Sequence, residues 1–210
     1  TLFRSGLVRH QGPGCITLGG SNPFQGHPQV GYMLARDSLL PWKSALENAM
    51  FGMQVRGVSR TEAQSRAREM LHEVGLAGFE MALPKALSHG MRQRVALART
   101  FALRSSLLLM DEPFGALDAQ TKLQLEDLLL RLCQQHHQTV LFVTHDLAEA
   151  IAVSDRVVVM TARPGRIVAD MPIDLPRPRS IRSLQQDPHF HELYARLWAY
   201  LESGWSKHEG

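Results

Sequence analysis

Two apolar runs in this chain end in groups able to handle a proton or a metal ion. Ser106-Leu-Leu-Leu-Met110 leads into Asp111 and Glu112, and Val140-Leu-Phe-Val-Thr144 leads into His145 and Asp146. A continuous apolar run of this kind predicts a strand buried on both faces. In open α/β sheets, ligands bind beyond the carboxyl ends of such strands. Asp111 is placed there to hold a Mg2+-bound water, because Mg2+ takes a few carboxylates together with phosphate oxygens. Glu112 is placed to take a proton from an attacking water. Pro113 allows a plainer reading of the pair as an acidic turn cap. His145 is one of ten histidines, most of which belong on the surface; its position at a strand's carboxyl end sets it apart.

A second group of residues is suited to an anion. Leu87-Ser88-His89-Gly90-Met91 opens a helix, and a helix N-terminus offers unpaired N–H groups and the positive end of a dipole. Ser88 adds a hydroxyl, and Gly90 permits close approach to the backbone. An ordinary Ser N-cap is the competing reading. Asp118, ahead of another helix, is likewise an N-cap in its plainest reading.

Elements must hold these groups. Ala63, Ala67, Met70, Leu71 and Val74 fall at helical spacing behind a Thr61/Gln64 capping box, and Gly75 is placed to stop that helix. A helix near 90–104 leads to a strand at 106–111. Gln120 to Gln135 reads as a helix with Leu125, Leu128, Leu129, Leu132 and Cys133 on one face. Thr139 to Thr144 and Arg156 to Thr161 read as strands, and Pro164-Gly165 as a turn into Arg166 to Asp170. Strand, crossover helix and strand imply parallel pairing. Ile16 to Leu18 and Val30 to Met33 are candidate strands nearer the start. Phe190, Leu193, Tyr194, Leu197, Trp198 and Leu201 form one amphipathic helix, expected to pack on the domain.

The totals bound these readings. With 210 residues and 44% hydrophobic composition, the chain suits one α/β domain with an inserted subdomain. A net charge of +3 is too small to argue for nucleic acid. Arg177, Arg179 and Arg182 read as a solvated tail. Cys15 and Cys133 are isolated thiols that suit a reducing cytoplasm. No apolar run approaches the ~20 residues needed to cross a bilayer. Thr1-Leu-Phe-Arg-Ser-Gly has neither an apolar h-region nor a starting Met.

Taken in order, Leu-Ser-His-Gly-Met, Leu-Met-Asp-Glu-Pro, Ala-Leu-Asp118 and Val-Thr-His145 resemble the motifs of the ATP-binding subunit of an ATP-binding cassette (ABC) transporter. Val30-Gly-Tyr-Met-Leu-Ala-Arg-Asp-Ser-Leu-Leu-Pro-Trp42 is similar to the Q-loop region of the nitrate/sulfonate/taurine importer group, some relatives of which carry thiamine precursors.

The resemblance implies an α/β, P-loop NTPase-like core with an inserted helical subdomain. It divides the chain into 1–34 (partial core), 35–88 (Q-loop and helical subdomain), 89–170 (signature, Walker B, D-loop and switch histidine) and 171–210 (tail with its helix). It places Thr1 near the α-phosphate, just after a P-loop expected upstream. Asp111 falls at the metal, and Glu112 and His145 at the catalytic centre. Ser88, His89, Gly90, Met91 and Asp118 fall at the nucleotide across a dimer interface.

ATP and Mg2+ are the implied ligands. The implied partners are a second ATPase subunit, a transmembrane permease and, through it, a solute-binding protein, with no nucleic acid. The implied place is the cytoplasmic face of the membrane. Two departures stand out: His89 replaces the usual first Gly of the signature, and Ala35 replaces the Q-loop Gln. The alternatives are a non-catalytic or truncated subunit and a soluble, non-transport ABC ATPase.

Overall fold

The computed structural model describes residues 17, 18, 20, 27, 29–161 and 165–206. The chain forms two compact units, Thr1–Val143 and Thr144–Gly210.

The first unit is built on three parallel strands, β1 (Val30–Met33), β2 (Leu107–Asp111) and β3 (Thr139–Val143), in the order β1-β2-β3. The register pairs Tyr32 with Leu109, Met110 with Phe142, and Asp111 with Val143. Leu108, Leu109 and Met110 have no exposed surface, as the unbroken apolar run requires of a central strand. Of the other early strand candidate, Ile16 lies outside the described residues, and Leu18 forms an isolated bridge.

Four helices belong to this unit: α1 (Ala45–Val55), α2 (Arg60–Glu73), α3 (His89–Phe101) and α4 (Ala119–His136); α3 packs on β1, and α1, α2 and α4 pack on α3. Ser44 caps α1 in a reciprocal capping box with Glu47. α2 starts earlier than the Thr61/Gln64 pair suggests. Its N-cap is Ser59, which accepts from the backbone of Glu62, so Thr61 lies within the first turn. Two hydroxyl residues close together both satisfy the capping pattern, and the earlier one takes the role. Gly75 ends this helix in a left-handed conformation (φ 77°), with Leu76 N donating to Leu71 O at 2.8 Å. The periodic residues Ala63, Ala67, Met70, Leu71 and Val74 are buried, as are Leu125, Leu128, Leu129 and Leu132 of α4. They join Phe101, Leu108 and Met110 in one core.

The second unit contains α5 (Leu147–Val153), the antiparallel pair β4 (Arg156–Met160) and β5 (Ile167–Pro172), a short α6 (Ile181–Leu184) and α7 (Pro188–Ser206). The strand at Arg156 thus pairs in a hairpin with β5. Gly165 of the predicted turn is described; Pro164 lies outside the described residues. Phe190, Leu193 and Leu197 of α7 are buried, and the helix packs on α5, β4 and β5, as its apolar stripe predicts.

Of the three arginines before it, Arg182 is exposed as a solvated tail predicts, whereas Arg179 and Arg177 are tied to the fold. Arg179 is 9% exposed, donating to the carbonyls of Leu175 at 2.9 Å and Ser154 at 2.6 Å, and it pairs with Asp155. Arg177 also pairs with Asp155 at 2.8 Å. A planar guanidinium with five donors can tie several carbonyls together, a role that sequence charge alone does not reveal.

Candidate functional site

The carboxylates sit where β2 leaves the sheet. Asp111 is the last residue of β2, and Glu112 continues the ladder by one bond, its N–H donating to Val143 O at 2.8 Å. Glu112 then turns the chain in a left-handed conformation (φ 46°). That geometry costs a non-glycine residue of order 1 kcal/mol and persists only where its surroundings impose it. The surroundings here are firm: Pro113 is buried, and Phe114 is 1% exposed and tilted against Phe142 with ring centroids 6.1 Å apart. Both carboxylate residues are partly exposed.

Tyr32 carries no site signal in the sequence itself. Its hydroxyl donates to Asp111 Oδ2 at 3.3 Å, and burial, with the Asp111 charge second, pushes the phenol's pKa up. The parallel β1/β2 register creates this pairing, so an apolar-run analysis of β2 alone does not find it.

The signature residues start α3. Ser88 is its N-cap, with Oγ accepting from Met91 N at 3.2 Å. Ser88 is exposed, while His89, Gly90 and Met91 are partly buried. Met91 packs on the core. Gly90 has a packing reason of its own, since a Cβ there would lie 2.8 Å from Thr121 Cγ2. The start of α3 therefore adjoins the start of α4. There Asp118 is the N-cap, accepting from Thr121 N at 2.9 Å. Hydrogen bonds from Thr121 hold its carboxyl below the usual Asp range. Gly90 and the Asp118-capped turn of α4 are thus neighbours.

Arg92 and Arg99 of α3 reach the loop after β1. Arg92 Nε donates to Asp37 Oδ2 at 2.8 Å and its Nη1 donates to Leu87 O at 2.9 Å. Arg99 donates to the carbonyls of Asp37 at 2.8 Å and Ser38 at 2.9 Å. Ala35 is exposed in this loop. Asn48 fixes the far side, accepting from Leu40 N at 2.8 Å and donating to Lys43 O at 2.9 Å. Trp42, 72% exposed, projects beyond it.

In the second unit, His145 is exposed between Thr144 and Asp146. Thr144 Oγ1 donates to Glu149 and accepts from Asp146 N, and Asp146 caps α5 through Glu149 N at 3.2 Å. Thr1 lies outside the described residues.

The donor set fits Mg2+ and a polyphosphate in type. Asp111 offers carboxylate oxygen, one atom of which already accepts a hydroxyl donor, and the starts of α3 and α4 offer helix N-termini. A buried parallel strand ending in paired carboxylates, with helix N-termini nearby, is an arrangement that an α/β nucleoside-triphosphatase core uses.

Residues 12–115 match the ABC transporter family. A taurine import ATP-binding protein of Rhizobium johnstonii is 43% identical over 194 residues, covering 90% of this chain and 74% of that protein. A second taurine import ATP-binding protein, from Pseudomonas savastanoi, is 44% identical over 197 residues, covering 91% and 75%. A putative ATP-binding protein of Brucella abortus is 43% identical over 195 residues, covering 92% and 74%. The chain belongs to the ABC transporter family, as an ATP-hydrolysing transport ATPase of the nitrate/sulfonate/taurine importer group. Among the described residues, no helix is long and apolar enough to cross a membrane.

Proposed function

We propose that this subunit powers import of a small sulfonate-, nitrate- or thiamine-precursor-type solute through a membrane permease, from the cytoplasmic face. The relatives named for taurine import favour the sulfonate class. The observation that carries the hydrolytic reading is Glu112, held in a left-handed turn beside Asp111 at the end of a fully buried strand. Strain of this kind concentrates at functional sites.

Two copies would face each other. Glu112 would accept the proton of the attacking water, and His145, by the family resemblance, would contact the γ-phosphate. Asp111 would hold Mg2+ through bound water, and the ion would neutralise charge on the phosphate oxygens. Ser88, Gly90 and the first N–H groups of α3 would bind the phosphates of the nucleotide on the opposite copy, with His89 and Met91 flanking them. Asp118 would contribute at the same dimer interface, and Thr1 would lie near the α-phosphate.

The four segments 1–34, 35–88, 89–170 and 171–210 would serve as partial core, helical subdomain, motif-bearing core and tail. Exposed Trp42, Phe79 and Met81 offer an apolar surface for the permease. Phe79 and Met81 belong to the turn whose Glu80 and Ala82 carbonyls accept from Leu46 N and Ala45 N, which sets that turn against the start of α1. A solute-binding protein would act through the permease, and no nucleic acid takes part.

The test is to reconstitute the full-length subunit with its permease in vesicles. ATP hydrolysis and ATP-dependent uptake are then measured with taurine, nitrate and a thiamine precursor in turn. Uptake of at least one solute, coupled to hydrolysis, is expected; absence of ATP hydrolysis overturns the reading.

A further inference from the structure

We propose that Asp37 is a positioning residue that ties the loop between β1 and α1 to the helix carrying Ser88, so that a displacement of the loop is delivered to the start of α3. The proposal rests on the transport reading above and adds the route by which the permease side reaches the nucleotide side.

The bonds form a continuous path. One guanidinium, Arg92, spans 2.8 Å to the Asp37 carboxylate and 2.9 Å to the carbonyl of Leu87, the residue before Ser88. Arg99, two turns further along α3 and on the same face, holds the next part of the loop through the carbonyls of Asp37 and Ser38. Ser38 takes a left-handed conformation (φ 46°) within the stretch that Arg99 grips. The second oxygen of Asp37 accepts from Leu39 N at 3.3 Å, so a single carboxylate joins the local turn to α3. Beyond it, Asn48 bonds Leu40 and Lys43 to the first turn of α1, and Trp42 stands exposed at the outer end.

These contacts are poorly explained as surface decoration. The Arg92–Asp37 pair is half-buried, with side-chain exposures of 31% and 21%. Its partners lie 55 positions apart in sequence, and both connect onward through hydrogen bonds to the backbone. Ala35 has no polar side-chain atom with which to make a link of its own. Asp37 supplies one from the same loop.

The experiment compares permease-stimulated with basal ATPase activity in the full-length subunit, with and without its permease. Asp37→Asn keeps an acceptor for Leu39 N but removes the charge facing Arg92; Asp37→Ala removes both; Asp37→Glu keeps the charge. The Asn and Ala variants are expected to retain basal hydrolysis while the stimulated-to-basal ratio falls at least ~5-fold, the low end of ordinary coupling between sites. Asp37→Glu is expected to recover most of that ratio. If Ala disrupts folding, the Asn variant decides alone. An unchanged ratio in Asp37→Asn, or basal and stimulated rates falling in equal proportion, overturns the proposal. A wild-type subunit that hydrolyses no ATP overturns the transport reading instead.

Discussion

The Tyr32 hydroxyl donates to Asp111 Oδ2 across the β1/β2 pair at 3.3 Å. The bond fixes the carboxylate that would face the metal while leaving its other oxygen free of this donor. Removing it leaves the strand packing in place but loosens the carboxylate. At 3.3 Å the bond is long, and an ordinary intramolecular hydrogen bond contributes ~1 kcal/mol net, so Tyr32→Phe is expected to raise the Mg2+ concentration for half-maximal ATPase by ~5-fold. Titrating Mg2+ at fixed ATP checks this, and an unshifted midpoint would remove Tyr32 from the site.

In the proposed mechanism Glu112 acts on the attacking water alone. Glu112→Gln retains the side chain's shape and keeps the backbone bond to Val143, but it cannot accept a proton. Hydrolysis is expected to fall by at least ~100-fold, the usual range for losing a positioned general base. Binding of labelled ATP should persist. Loss of both together would mean that Glu112 holds the fold rather than the reaction.

Much of this site follows from one-dimensional pattern. The apolar run before Asp111 is strong enough to mark a doubly buried strand, and Ser88 and Asp118 are caps because their residue types and positions leave little choice. What stayed hidden depends on pairing. Tyr32 meets Asp111 through strand register, and Arg92 meets Asp37 across 55 positions. Neither contact leaves a local signature. Thr61 misled because Ser59 close by offers the same chemistry. Arg179 misled because charge predicts solvent, whereas its guanidinium finds backbone carbonyls to replace water.

By the family resemblance Ala35 stands where the Q-loop would carry Gln, and it is exposed in this structure. Ala35→Gln therefore introduces no buried conflict. The added amide is expected to increase permease-stimulated ATPase severalfold, within the range of ordinary coupling energies. An unchanged stimulated rate would show that the loop operates fully without an amide at that position.

His189 couples the start of α7 to pH. Its Nε2 lies 2.8 Å from Asp174 and its Nδ1 3.3 Å from Glu192. Chiefly through the Asp174 bond, its pKa is raised above 6.5, and Asp174 is correspondingly lowered below 3.8. A raised histidine stabilises the folded state fully below the unfolded value of 6.5. That contribution disappears as pH climbs through the raised folded value. At the acid end, it is lost as pH falls through the lowered value of Asp174. The difference in Tm between wild type and His189→Gln should therefore be largest in mildly acidic buffer and shrink toward alkaline pH. A difference independent of pH would show that the imidazole contributes packing alone.

Gly90 tests whether the signature glycine is kept for packing as well as for ligand approach. A Cβ at this position would stand 2.8 Å from Thr121 Cγ2, and Thr121 is anchored by its backbone bond to Asp118. A β-branched side chain has few rotamers into which to retreat, so the helix starts must separate. Gly90→Ala is expected to destabilise the fold by ~1 kcal/mol, the lower end of overpacking costs. Thr121→Ser removes the obstructing methyl while keeping the hydroxyl. In a double-mutant cycle the pair should then recover most of the loss, with a coupling of ~1 kcal/mol. Denaturant unfolding of the four proteins measures that coupling directly. Additive losses would mean that the α3 and α4 starts yield independently, leaving ligand approach as the reason for glycine at position 90.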